Sequence, residues 1–371
     1  MLTERLLLIA ALFTGMAVSP WGCQQHDRPA DQPASFTIAD QLTDVRSPNE
    51  LLRLAVYKEP REPNIITICD ESVVVAAYGG RLSRILFTGK ELWSVQEEWS
   101  KHEDATLTPS VLGVSADHLL VASCFQEIGG GVTVRAALDG TMVVRSSLNG
   151  SNVIALAFDP SNSDILWLVS SEGALERWKI RDGSMERIGK NGSINPRYGA
   201  ALFALPTTRE IMAVELGRAQ IWDSESGVLK REFKHDWIYP QTQLAFDGRR
   251  AVSLNPASSR GWVNVAIAAR MTLWNVADGT REVIVEGWRN TKDNAASIRG
   301  AALVADDYLV AWDVVGLLRV IDLTDGAVVG EVETNNRARV VAIPQAGSFV
   351  VTTRPKPGDE LELVILHVSA P

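Results

Sequence analysis

Three cysteines, five histidines and 45 carboxylates are the side chains from which this 371-residue chain would have to build catalysis or a metal site. The histidines are His26, His102, His118, His235 and His367, and none has a second ligand at the helical or hairpin spacing of a zinc site. The chain has no GxSxG elbow, no HExxH helix, no phosphate-binding GxxxxGK[ST] loop and no CxxC pair. Asp139, Asp182, Asp278 and Asp325 each stand directly before a glycine, where an aspartate supports a turn rather than a reaction. No catalytic, cofactor-binding or metal-ligating residue is assigned, and no cofactor is expected. The chemistry that remains is recognition. Trp237, Tyr239, Arg260, Trp262, Trp288 and Arg289 fall in three long polar segments (234–241, 255–268 and 287–297), and Trp, Tyr and Arg are the residues that dominate binding hot spots.

The other reactive position is at the start. Met1 to Arg5 is a short charged opening, Leu6 to Val18 is apolar over 13 residues, and the run ends in Ser19-Pro20-Trp21-Gly22-Cys23. Such a run is too short to cross a hydrocarbon core of about 30 Å and reads as a secretory signal. Gly22-Cys23 resembles the end of the lipobox of bacterial lipoproteins, whereas Pro20 and Trp21 depart from its usual pattern. The resemblance implies cleavage after Gly22, lipid on Cys23 and membrane anchoring on the periplasmic side; Gln24 implies the outer membrane by the proteobacterial sorting rule. Ordinary signal cleavage, with Cys23 a bystander, is the alternative. Residues 23–48 are polar and proline-containing, the composition of a tether that buries too little apolar surface to fold alone.

From residue 49 to the end the chain repeats. RILFTG (84–89), RAALDG (135–140), WKIRDG (178–183), WDSESG (222–227), WNVADG (274–279) and IDLTDG (321–326) begin 51, 43, 44, 52 and 47 residues apart. Each reads as a strand running into a tight turn, and two apolar strand-like runs precede each, such as 153–158 with 165–169 and 301–304 with 308–312. Four short strands per period of this length predict propeller blades. A seventh unit (340–343, 349–353, 362–366) stops after three strands, and Leu51 to Tyr57 supplies a fourth. The expected fold is all-β: a seven-bladed propeller of four-stranded antiparallel blades, closed by an N-terminal strand so that no sheet edge stays open. Within it Trp178, Trp222 and Trp274 take equivalent third-strand positions, packed between blades. Cys69 and Cys124 fall near opposite faces, too far apart for a disulfide, which needs Cα atoms within about 7 Å.

The IWD at 221–223 and LWN at 273–275, each before a turn, resemble the third strand of WD40 repeats, although no blade carries the Gly-His pair usual there. Thr88-Gly89-Lys90-Glu91-Leu92-Trp93 is similar to the TGKxxW turn of quinoprotein-like repeats. These matches place the chain in the broad WD40/YVTN/quinoprotein-like propeller superfamily. The adjacent cysteine pair of the quinone-dependent propeller dehydrogenases is absent. The resemblance implies a non-catalytic protein-interaction scaffold of the cell envelope, binding protein partners through the loop-rich face. The alternatives are a propeller enzyme of glycoside hydrolase or lactonase type, and an outer-membrane assembly lipoprotein of the quinoprotein-like kind. With a formal net charge of -9, the body is repelled by phosphate backbones, so nucleic acid is not an expected partner, and the membrane is expected to be met through the lipid anchor only. Intact-mass analysis of protein from the native membrane fraction is expected to show a diacylated N-terminus at Cys23; an unmodified Cys23, or a wild-type protein free of the membrane, overturns that expectation.

Overall fold

The computed structural model describes residues 34–37, 52–59, 63–77, 80–97, 111–124, 131–147, 152–189, 193–195, 200–234, 243–244, 248–255, 269–288, 298–304, 307–313, 316–333, 340–343, 348–353 and 361–367. The fold described is that of the unit Ala34–Pro371. Its strands form seven sheets, each with four antiparallel blade strands; six of the sheets hold four strands and one holds a fifth. Blades 1 to 6 span residues 63–96, 111–146, 153–187, 201–234, 243–288 and 298–333. Blade 7 holds Val340–Ile343, Ser348–Thr353 and Leu361–His367, and its fourth place is taken by Leu52–Glu59, with Leu52 opposite His367 and Glu59 opposite Leu361.

Within a blade, burial follows strand order. The second strand of blade 4, Glu210–Glu215, is buried at every residue, because another blade covers each face of its sheet. The fourth strand, Leu229–Lys234, alternates between exposed and half-buried residues on the outside. The two glutamates that end the second strand are neutralised where they are buried. Arg231 meets Glu210 in a two-pronged pair at 2.9 and 2.8 Å, and Arg218 pairs with Glu215.

The core lies between the blades. Each of seven apolar clusters draws its residues from two neighbouring sheets. One of them sets Ile343, Val350 and Leu363 of blade 7 against Ile66, Val73, Val75 and Ile85 of blade 1. Trp178, Trp222 and Trp274 occupy the same place in their blades, directly before the third-to-fourth turn, and all three are buried. Each packs toward the preceding blade: Trp178 toward blade 2, Trp222 toward blade 3 and Trp274 toward blade 4. Trp274 meets Phe233 of blade 4 edge to face, with ring centroids 6.3 Å apart.

The turns that end the third strands of blades 2 to 6 share one construction, while in blade 1 the Gly89 N–H donates to the Leu86 carbonyl, three residues earlier. In the shared form the glycine N–H donates to the carbonyl four residues earlier, as from Gly140 to Ala136 at 3.0 Å and from Gly279 to Asn275 at 2.9 Å. Glycine is required at these two positions for two reasons. Their φ angles are +74°, which side chains resist, and a Cβ on Gly140 would come within 2.8 Å of Trp93, or on Gly279 within 2.5 Å of Phe233. In both cases the obstructing ring belongs to the fourth strand of the preceding blade, so the turn is shaped by the same interface as the core.

One element differs from the sequence reading. Within the segment read as a tether, Ala34–Thr37 adds a fifth strand to blade 5, parallel to its fourth, with Ala34 opposite Val283 and Thr37 opposite Glu286. The fourth strand of a blade carries a row of unpaired backbone groups, and Ser-Phe-Thr suits a strand, so four tether residues suffice to pair there.

Trp274→Ala is expected to lower unfolding free energy by about 3–5 kcal/mol in denaturant titration. Trp274→Phe is expected to cost much less, because the buried indole N–H has no hydrogen-bond partner to lose among the described residues. Equal losses for the two variants would show that the position is not held by packing.

Candidate functional site

The ring has two rims. Connections that precede a first strand or follow a second strand leave the upper rim; first-to-second and third-to-fourth turns leave the lower rim. Of the six residues singled out for recognition, Trp237, Tyr239, Arg260, Trp262 and Arg289 lie outside the described residues, as does Cys23. Trp288 ends the fourth strand of blade 5 with its Cα opposite Ala269. The strands that lead into the three segments are described. Lys234 ends the fourth strand of blade 4 opposite Arg218, and Asn255 ends the second strand of blade 5 opposite Arg270. With Trp288, these ends reach the same rim on two adjacent blades, so the topology starts all three segments from one side of the ring.

Two described stretches of the upper rim are held by buried charge. Glu97, whose side chain is fully buried, takes Arg135 Nε at 2.8 Å and Arg145 Nη2 at 3.0 Å, both from blade 2. Farther round, the connection between blades 3 and 4 is fastened at residues 193–195. There Asn195 N–H donates to the Glu215 carboxylate, and Arg218 Nη2 donates to the Ser193 carbonyl at 2.7 Å.

On the lower rim the turn carboxylates are fully engaged. Asp139 accepts from Thr141 N–H at 2.9 Å, Asp182 from Ser184 N–H at 2.7 Å, Asp278 from Thr280 N–H at 2.9 Å and Asp325 from Ala327 N–H at 2.9 Å. Bonds from the hydroxyl and then the N–H of Thr141 and Ser184 hold Asp139 and Asp182 below the usual carboxylate range; for Asp278 the N–H of Thr280 comes first and its hydroxyl second. Carboxylates stabilised in this way are ionised at neutral pH and are poor proton donors.

The same rim carries two features that sequence reasoning missed. Between blades 3 and 4 lies a cleft of about 350 Å³, lined by Asp159, Ser161, Asn162, Arg177, Arg209 and Ser224 among others. Arg177 sits 5.7 Å over the Trp167 ring and donates to the carbonyls of Ser224 and Glu225 at 3.1 and 2.8 Å, joining the two blades. Asp159 accepts from the N–H groups of Ser161 and Asn162 and from Trp167 Nε1, leaving it no idle oxygen. The second feature is apolar. Leu119 and Leu138, at the tips of the two lower turns of blade 2, are 64% and 81% exposed, and Met142 and Val143 beside them are each 51% exposed. A signal was present at 138: the residue before Asp-Gly or Ser-Gly is arginine, glutamate or a smaller residue in blades 3 to 6 and leucine only in blade 2.

Among the described residues no group of three or more His, Cys, Asp or Glu is gathered to hold a metal ion, and no helix is long and apolar enough to cross a membrane. Ring, register and blade count then meet the solved structures. The chain is similar to "Structure of U3-55K" (TM-score 0.59, 13% identity, 86% of this chain and 97% of that one) and to "Crystal structure of RRP9 WD40 repeats" (TM-score 0.63, 13% identity, 87% and 100%). It is also similar to the Cps50 (Swd1) β-propeller domain of Myceliophteria thermophila (TM-score 0.62, 12% identity, 85% and 99%). The fold is that of a seven-bladed WD40 propeller. At these identities the likeness concerns the propeller's fold alone. No protein-family model and no curated protein sequence matches the chain.

Two cysteines of the propeller are buried, and neither forms a disulfide. Burial raises both thiols above their ordinary range, Cys124 to about 12, where it donates to the Val153 carbonyl at 3.3 Å. A raised thiol pKa means that the reactive thiolate is scarce at neutral pH. Folded protein at pH 8 is therefore expected to resist alkylation at Cys69 and Cys124, and denatured protein to take label at both; rapid labelling of the folded form would contradict the buried assignment.

Proposed function

We propose that this protein is a non-catalytic protein-interaction scaffold of the bacterial cell envelope, anchored by lipid on Cys23 and binding its partner through the upper rim around blades 4 and 5. The observation that carries the reading is the inequality of the two rims. The lower rim is built mainly of short turns whose carboxylates serve their own backbone. The long segments with Trp237, Tyr239, Arg260, Trp262, Trp288 and Arg289 start from strand ends on the upper rim, at Lys234, Asn255 and Trp288. Loops on a rigid scaffold are the usual carriers of recognition, and a closed ring of packed sheets is such a scaffold. The Gly22-Cys23 pair after an apolar run of signal length supports the anchor, and Gln24 supports the outer membrane as its site.

Crosslinking and pull-down from membranes of the native host, with wild-type and Trp262→Ala/Trp288→Ala proteins side by side, tests the reading. Loss of a hot-spot tryptophan is expected to weaken partner binding by about 2 kcal/mol or more, over tenfold in Kd, with the melting temperature nearly unchanged. If the two substitutions instead destabilise the propeller by several kcal/mol and the captured partner crosslinks to the lower rim, the upper rim is not the working face.

A further inference from the structure

The short strand Ala34–Thr37 says which rim the anchor must reach. The fourth strand of blade 5 leaves its turn at the lower rim, at Arg281, and rises to Trp288 at the upper rim. Because Ala34–Thr37 runs parallel to it, Ala34 is the lower end of the added strand. The chain therefore enters the ring from the lower side. Cys23 precedes Ala34 by 11 residues, a contour of at most about 40 Å. To bring the upper rim to a bilayer, those residues would first have to climb back from Ala34, opposite Val283, to the level of Trp288, five residues or about 17 Å. About 23 Å of chain would then be left to pass the upper-rim connections, reach the membrane and cross its headgroups. With the lower rim down, the whole contour is available.

Among the described residues most of the exposed large apolar side chains lie on that same side, with Leu216 on the other. Leu119 and Leu138 project from neighbouring turns, joined by the Ala137 N–H to Leu119 carbonyl bond at 2.8 Å, and Met142 and Val143 begin the adjoining fourth strand. Single exposed apolar residues are ordinary, but four together at the tips of one blade are a patch. Two blades on, Val228 and Leu229 repeat the pattern at 59% and 39% exposure.

We propose that the lower rim of blade 2, through Leu119, Leu138, Met142 and Val143, rests on the surface of the lipid bilayer, with the upper rim turned away toward the partner; this rests on the lipidation of Cys23 proposed above. The contact is apolar rather than electrostatic. Asp117 and Asp139 flank the two leucines, and the chain carries a net charge of -9, so anionic headgroups oppose the contact and zwitterionic ones permit it.

The test uses the full-length lipidated protein with an environment-sensitive dye on a new thiol, at Leu138→Cys or, on the opposite rim of the same blade, at Ser147→Cys. The buried Cys69 and Cys124 leave the introduced thiol as the labelling site. The labelled proteins are reconstituted into phosphatidylcholine vesicles and into vesicles with added phosphatidylglycerol. The expected result is a blue shift with gain of intensity at position 138, none at 147, a smaller shift on the anionic vesicles, and loss of the shift at 138 when Leu119→Asp is added. If the protein fails to sediment with membranes of its host, the anchoring reading falls and this inference with it. If it is anchored but the dye at 138 stays in water, or the dyes at 138 and 147 shift alike, only the inference is overturned. Protection of position 138 that appears solely when envelope proteins are present also overturns it and assigns the patch to a protein.

Discussion

A four-stranded sheet that is apolar on both faces cannot stand in water, and every blade of this molecule has that problem. The second strands of blades 1 and 4 are buried on both faces along their whole length, and those of blades 3 and 6 nearly so. A stack of such sheets would always leave two uncovered faces at its ends. A ring leaves none, provided that the last sheet meets the first, and the cluster joining blade 7 to blade 1 is where this happens. That junction depends on pairing across nearly the whole sequence, Arg53 opposite Leu366 and Tyr57 opposite Leu363. The ordering of the rims therefore rests on an interface between chain ends, and no single blade has an independent reason to hold its shape.

The third-strand position before each turn shows how one site is solved by different chemistry. Ile85, Trp178, Trp222, Trp274 and Ile321 fill it with apolar volume directed at the preceding blade. In blade 2 the position is Arg135, and the preceding blade answers with Glu97. Burying a carboxylate costs several kcal/mol unless strong partners replace its water. Here two guanidiniums do so, Arg145 as well as Arg135, and Arg135 also donates to the Gly140 carbonyl at 2.9 Å. Trp93 of blade 1 occupies the space that a blade 2 tryptophan would have taken, lying against Gly140 and donating to the Ala137 carbonyl at 2.7 Å. At this interface blade 1 supplies the aromatic, and a charge pair fills the blade 2 position.

Much of the ring was legible because its signals are local. Asp-Gly and Ser-Gly turns mark the ends of third strands, continuous apolar runs mark the inner strands, and their period gives the blades. The buried state of Trp178, Trp222 and Trp274 followed from register alone. What was not legible depends on partners distant in sequence. Nothing in Ala-Ser-Phe-Thr at 34–37 points to Val283–Glu286, 249 residues later. Arg177 reads as an exposed strand residue until the fold brings the carbonyls of Ser224 and Glu225 to it. The first strand of blade 5 is only Gln243–Leu244, too short to produce an alternating pattern. Leu138 was visible as an oddity among the turns, but turn grammar assigns its backbone and says nothing of what an exposed leucine meets.

The two rims differ in what their residues are free to do. In blades 2 and 5 the third-to-fourth turn on the lower rim delivers a glycine with positive φ to a space bounded by the preceding blade, and its aspartate accepts from the N–H two residues on. Few substitutions satisfy both demands, so these turns cannot also vary to fit a partner; only their outward tips, such as Leu138, remain open to choice. The described residues of the upper-rim connections show no such repeated construction. Where one is tied down, as at Ser193 and Asn195, the ties come from Arg218 and Glu215, side chains that blade 4 supplies, rather than from a turn sequence repeated in every blade. A rim whose length and composition are unconstrained by the ring can lengthen without disturbing the interfaces that hold the sheets. The ties at Ser193 and Asn195 and the turns that close against the preceding blade thus rest on different residues, and one can change without the other.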